Sequence, residues 1–228
     1  AAGYDWSVAA AGAGENISLA NKDPQALPVT LQGWLHNDAA RELLAAAGHD
    51  LGALKNAARQ PEFEAFELEG IRFDANLEVD ITTFDSQNVL GLLPGNERPE
   101  EVIMASAHWD DYGIGAPDEQ GRTVRAGAND DALGSAGILE LARVIKAQPV
   151  MARSVLFAFW TAEEAGLVGS MAYAADPIFP IEKTVANFTL DILQTAGAAK
   201  DVILVGKGQS ELEDDLARVA EAAGRYVT

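Results

Sequence analysis

Residues 154–164 read Ser154-Val155-Leu156-Phe157-Ala158-Phe159-Trp160-Thr161-Ala162-Glu163-Glu164. Val155 to Trp160 is an unbroken apolar run, too short for a buried helix and bounded by polar residues. It reads as a strand covered on both faces. Val102-Ile103-Met104-Ala105-Ser106-Ala107 reads the same way, Thr184 to Leu190 is predicted as a third such strand, and Val202-Ile203-Leu204-Val205 as a fourth. Between them lies a helix predicted from Gly134 or Ser135 to Ala147, with Ile138, Leu141, Ala142 and Ile145 on one face, and another follows from Ser210 to Ala223. Leu77-Glu78-Val79-Asp80-Ile81-Thr82 alternates with period two as a half-exposed strand should, and the run Asn88 to Leu93, closed by Pro94-Gly95, is its expected hairpin partner. Apolar strands alternating with amphipathic helices define an α/β fold: a mixed, mainly parallel sheet with helices on both faces.

The first 66 residues read differently, as the end of an appended or lid region, with the core expected over 67–228. Gly, Ala, Asn and Pro dominate as far as Pro28, which predicts irregular structure. Asn37 or Asp38 is positioned to cap a helix through Ala47 that stops at Gly48, and a shorter helix is expected around Leu51 to Arg59.

Composition narrows the partners. The 228 residues carry 16 Lys plus Arg against 35 Asp plus Glu, a formal net charge of −19. Nucleic-acid binding relies on clustered cations, so this balance argues against a nucleic-acid partner. With no cysteine there is neither a disulfide nor a thiolate metal site. No apolar run approaches the roughly 18 residues a membrane span needs. The Ala-rich start, Ala1 to Ala13, lacks the basic region of a signal peptide.

Most surplus carboxylates need no more explanation than a solvated surface. Some fall in a pattern that a surface does not require. In open α/β sheets, ligands bind beyond the carboxyl ends of the strands. One predicted strand ends in His108-Trp109-Asp110, another in Glu163-Glu164, a third in Asp191, and Asn129-Asp130-Asp131 occupies the loop entering the central helix. One imidazole and several carboxylates at one edge suit one or two divalent cations. Two residues apart on a strand, His108 and Asp110 project to one side, so Asp110 can accept from the second ring nitrogen. Glu163 and Glu164 point different ways, so one can ligate while the other acts as general base. Each has a plainer reading: a hydrogen-bonded loop histidine, helix N-terminal acids at Asp130-Asp131 complementing the dipole, solvated loop glutamates. Asp191 is the hardest to dismiss, flanked by Phe188, Leu190, Ile192 and Leu193.

Other chemistries fit worse. There is no Gly-x-Ser-x-Gly elbow, and His36 and His49, beside the first helix, read as structural. Gly206-Lys207-Gly208-Gln209-Ser210 lacks the length of a phosphate loop. Asp118-Glu119-Gln120-Gly121 lacks EF-hand spacing and reads as a turn.

Four segments together resemble the M28 family of co-catalytic zinc peptidases: Ala107 to Asp110, Gly127 to Ala132, Trp160 to Ser170, and Asn187 to Asp191. The Glu-Glu segment with its trailing Gly166-Leu167-Val168-Gly169-Ser170 is the most specific. The resemblance covers roughly residues 70 to 228 and implies a zinc-exopeptidase fold. It implies two zinc ions bridged by Asp130, one completed by His108 and Asp191, the other held by Glu164. Glu163 would be the general base, Asp110 would orient His108, and the reaction would release residues from peptides with a free N-terminus. Related alternatives are a carboxypeptidase, a one-zinc glutaminyl cyclase or a non-catalytic binding relative. These ligand types also accept manganese or cobalt. A secreted or periplasmic location follows by the same analogy.

The chain departs from the family in two places. The family's Asn-x-Ser-Gly after the bridging Asp is here Asp131-Ala132-Leu133-Gly134. The family also gives the second zinc a further histidine, whereas no histidine follows His108. The chain is therefore expected to be a piece of a longer protein, following a protease-associated domain as in some longer members, with weak or no activity on its own.

Overall fold

The computed structural model describes residues 6, 16–20, 33–115, 117, 120–204, 208 and 210–228. The chain forms two compact units, one of residues 1–16 and 20–83, the other of 17–19 and 84–228. Most of the expected irregular start, Asp118 and Glu119 of the Asp118–Gly121 turn, and Val205, Gly206, Lys207 and Gln209 lie outside the described residues.

Among the described residues the first unit includes two short helices, α1 (Asn37–Ala46) and α2 (Leu51–Ala57). The cap of α1 is His36, not Asn37 or Asp38, because its Nδ1 accepts from the Asp38 N–H at 3.3 Å. Asp38 instead pairs with Arg41 at 3.0 Å within the first turn. The ring of His49 rests against Phe66, with centroids 4.8 Å apart. Both histidines thus serve local structure. The period-two stretch 77–82 is not a strand: Val79 and Ile81 are 71% and 84% exposed. Alternation alone cannot stabilise a strand without a neighbour to take its backbone hydrogen bonds.

The second unit is built on a four-stranded sheet of β1 (Val89–Leu93), β2 (Arg98–His108), β3 (Arg153–Trp160) and β4 (Thr184–Thr189), in the order β1-β3-β2-β4. β1 runs antiparallel to β3, while β3 and β4 flank β2 in parallel. The run 89–93 therefore pairs with β3 rather than forming the expected hairpin. β4, expected to be buried, closes one side of the sheet with Phe188 39% exposed. Asp201–Val202 (β5) pairs with Tyr226–Val227 (β6) in a separate two-stranded sheet, so the fourth expected strand lies outside the main one.

Period-two alternation along β2 and β3 sends side chains to opposite faces. Val102, Met104, Leu156, Ala158 and Trp160 meet Tyr173 of helix α4 (Val168–Ala175) on one face. Ala105, Ala107, Val155 and Phe157 meet Ile138 of helix α3 (Ala132–Lys146) on the other. The chain is an α/β fold with a mainly parallel sheet and a helix on each face, as the apolar runs predict. Helix α5 (Leu212–Ala222) follows β5.

Ile138 is fully buried. Ile138→Ala is expected to destabilise the second unit by about 2–5 kcal/mol, from lost transfer energy plus the cavity left behind. A shift in the urea midpoint measures it.

Candidate metal centre

Strand register sets where the chemistry falls. His108 lies opposite Trp160 across β2 and β3, and Ser106 lies opposite Thr189 across β2 and β4. The Leu190 N–H still donates to the Ser106 carbonyl at 2.9 Å. His108, the turn after Trp160, and Asp191 therefore emerge at one edge of the sheet, at the carboxyl ends of three parallel strands. Asp130 arrives at that edge just before α3, whose cap is Asp131; the peptide joining the two is cis.

His108 is 2% exposed and has an acceptor at each ring nitrogen. Nε2 lies 2.8 Å from Asp130 Oδ1, and Nδ1 lies 3.1 Å from the backbone oxygen of Asp110. Burial disfavours its charged form, but the Asp130 hydrogen bond and the nearby Glu163 charge outweigh that and raise its pKa. Donation from Nδ1 to the carbonyl fixes the tautomer in which Nε2 is free to ligate once its own proton leaves.

Ligand atoms of His108, Asp130 and Asp191 lie within 4.8 Å of one another, as do those of His108, Glu163 and Glu164. The two groups share His108. Glu164 is thus brought beside Glu163, while Asp130 is brought beside Asp191. Glu163 Oε2 is 3.8 Å from His108 Nε2. Burial, opposed by His108 and reinforced by Asp191 and Glu164, raises the Glu163 pKa. Burial likewise raises that of Glu164, and its Oε1 is buried without a hydrogen-bond partner among the described residues. A buried carboxylate oxygen left unsatisfied is costly. Oxygen and imidazole donors this close, crowded with like charge, suit a hard or borderline divalent cation, so the residues present fit a zinc site.

The turn carrying the glutamates is held in three ways. Ala162 and Leu167, on either side of it, adopt left-handed backbone (φ 50° and 63°). Such conformations cost non-glycine residues about 1–3 kcal/mol and persist only where the surroundings enforce them. The Glu163 carbonyl accepts from the N–H groups of Gly166 and Leu167, both at 2.8 Å. Asn88 accepts from the Thr161 N–H at 3.1 Å and donates to the Gly169 carbonyl at 2.8 Å. Gly169 has no room for a side chain: a Cβ there would collide with the Thr161 carbonyl oxygen.

The Asp110 carboxylate accepts from the Glu163 N–H at 2.9 Å and the Glu164 N–H at 3.2 Å. Its Oδ1 stands 3.7 Å from His108 Nδ1, beyond hydrogen-bond reach. Asp110 touches the ring through its backbone and grips the glutamate turn through its side chain.

Sequence reasoning missed Tyr112. Its phenol donates to Glu164, and its own ionisation is pushed up to about 12 by that bond first and by burial second. A tyrosine on a polar loop carries no motif that would flag it.

By fold and site, this is an α/β protein with a candidate cation centre at the carboxyl edge of its sheet. A sequence model of Peptidase family M28 matches residues 88–228, more than half of the chain, and the chain belongs to that family. Aminopeptidase YwaD of Bacillus subtilis (strain 168) is 30% identical over 144 residues, covering 61% of this chain and 29% of that protein. Aminopeptidase NAALADL1 of Rattus norvegicus is 31% identical over 139 residues, covering 56% of this chain and 17% of that protein. The crystal structure of BSAP, a zinc aminopeptidase from Bacillus subtilis, superposes with a TM-score of 0.51 at 26% identity, covering 62% of this chain and 34% of that one. A leucine aminopeptidase precursor from Bacteroides thetaiotaomicron shares the fold, with a TM-score of 0.50 at 21% identity over 63% of this chain and 57% of that one. The chain thus spans less than a third of the length of the two curated relatives. Among the described residues no helix is long and apolar enough to cross a membrane.

Asp110→Ala strips two backbone donors of their acceptor. The expected cost is on the order of 2 kcal/mol, read as a lower urea midpoint, with Asp110→Asn losing less.

Proposed function

We propose that this chain carries the metal centre of an exopeptidase that hydrolyses the first peptide bond of substrates with a free N-terminus. What carries the reading is the meeting of His108, Asp130 and Asp191 ligand atoms within 4.8 Å, with the Glu163 carboxylate 3.8 Å from the same imidazole nitrogen. Membership of Peptidase family M28 supports it, and so does the likeness in fold to the zinc aminopeptidase of Bacillus subtilis. His108, Asp130 and Asp191 would hold one zinc ion. Glu164, whose buried Oε1 has no partner among the described residues, would help to hold a second. Bound zinc supplies a Lewis acid for the scissile carbonyl and lowers the pKa of water.

The chain's own groups handle orientation and protons. Glu163 takes a proton from the attacking water and returns it to the departing amine, a task suited to a carboxylate whose pKa is raised toward neutrality. Asp110 fixes the backbone of Glu163 and Glu164, so both carboxylates are held beside His108. The Asp110 carbonyl orients the ring of His108.

Zinc at about 100 times its dissociation constant stabilises a protein by about 2.7 kcal/mol. For a unit of this size that corresponds to a melting shift on the order of 5–10 °C. That rise is expected for this chain at pH 7.5 and should shrink at pH 5. The sign follows from His108, Glu163 and Glu164, whose pKa values are all raised. Their protons stay on the folded site as pH falls and compete with the ion. In the metal-free chain these groups stabilise the protonated fold, and that contribution is lost as pH rises through the raised values. A melting temperature indifferent to zinc at pH 7.5 would sink the reading.

In the protein that bears this chain, Glu163→Gln should retain zinc while kcat on an aminoacyl anilide falls about 10²- to 10⁴-fold. Loss of zinc in that variant would mean that the roles of Glu163 and Glu164 are exchanged.

A further inference from the structure

The backbone of His108, at the end of β2, is held on both sides by the first turn of α3. Its N–H donates to Asp131 Oδ2 at 3.1 Å, and its carbonyl accepts from Ser135 Oγ at 2.8 Å. The other Asp131 oxygen accepts from the Gly134 N–H at 3.0 Å and caps the helix. Capping alone requires no burial, since a cap at the surface works as well. Asp131 is nonetheless 1% exposed, and burial pushes its pKa up against the pull of these bonds. The local sequence is shaped to admit it. A Cβ on Gly134 would collide with the Asp131 carboxylate, so that position tolerates only glycine while the carboxylate sits there.

Asp130, the residue immediately before this buried acid, has its Oδ1 2.8 Å from His108 Nε2. The His108 backbone, the Asp131 carboxylate, the Asp130–Asp131 peptide and the Asp130 carboxylate on the His108 ring form a closed circuit. Such a circuit leaves little freedom in the distance between the imidazole and the Asp130 carboxylate. Ser135 tightens it from the carbonyl side.

We propose that Asp131 and Ser135 are positioning residues that set the spacing of His108 and Asp130 as a pair of zinc ligands, a role for Asp131 beyond capping α3. This rests on the metal-centre reading above. Neither residue offers an atom to the ion; each acts through the backbone of His108.

Two measurements on this 228-residue chain test it: zinc affinity by competition with a chromophoric chelator, and hydrogen exchange of the His108 amide in the metal-free chain. Asp131→Ser separates the two roles. Serine still caps the Gly134 N–H, but it is too short to reach His108 as well. Asp131→Ser and Ser135→Ala are each expected to weaken zinc about 10- to 100-fold, the usual effect of removing a group that orients a metal ligand. Asp131→Ser should also speed exchange of the His108 amide. Ile138→Ala, buried on the same helix but outside the circuit, should lower stability and leave zinc affinity as in the wild type. Zinc affinities within twofold of wild type in both clamp variants overturn the proposal, as does an equal loss in Ile138→Ala. Should Asp131→Ser fail to fold, Ser135→Ala alone decides by the same criterion. A wild-type chain that takes up no zinc overturns the metal-centre reading instead, and the exchange of His108 then decides whether the clamp exists.

Discussion

Four carboxylates (Asp130, Asp191, Glu163 and Glu164) approach one buried imidazole at the edge of a parallel sheet. Like charges this close raise one another's energy, and the raised pKa values of Glu163 and Glu164 record burial and that mutual repulsion. The single histidine, itself drawn toward its charged form, offsets only part of it. Folding alone gains nothing from such a cluster. The sheet register, the strained turns and the backbone clamps around His108 keep these groups together.

Segments that meet at this edge are tied down by their neighbours. Asp110, just past β2, holds the amides of the turn after β3, and the first turn of α3 holds the His108 backbone. Asn88, just before β1, holds the far side of the glutamate turn. No single element makes the site. A site assembled from four segments keeps its geometry only if these cross-links are rigid, and they are made by short side chains, Asp110, Asp131, Ser135 and Asn88. The strain stored at Ala162 and Leu167 is offset by the hydrogen bonds that close the turn.

Within the proposed function, adjacent acids are used in two ways. Asp130 faces the imidazole while Asp131 turns inward to the His108 backbone; Glu163 and Glu164, whose amides both donate to Asp110, instead bring their carboxylates together beside that imidazole. The Asp130-Asp131 pair thus gives one acid that faces the imidazole and one that steers its backbone, whereas in the turn after β3, where strand alternation does not apply, both glutamates reach the same ring.

The apolar runs of β2 and β3 and the apolar face of α3 were legible in the sequence, because burial on both faces leaves a continuous hydrophobic signature. So was the coincidence of His108, Glu163, Glu164 and Asp191 near strand ends, with Asp130 at the start of the helix between them, since a mainly parallel sheet delivers such strand ends to one edge. Helix α4 was not legible. Val168-Gly169-Ser170-Met171 is poor helix sequence, and the segment is helical because Tyr173 packs on Trp160, with ring centroids 5.3 Å apart. The stretch 77–82 misled for the opposite reason: it has the pattern of a strand, but no strand pairs with it among the described residues. The roles of Asp131, Ser135 and the Asp110 side chain, and the reach of Tyr112 to Glu164, are set by distances across 23 to 54 residues of chain. Local pattern determined which residues could do chemistry; tertiary structure decided which of them touch, because hydrogen bonds between distant segments exist only once the sheet has aligned its strands.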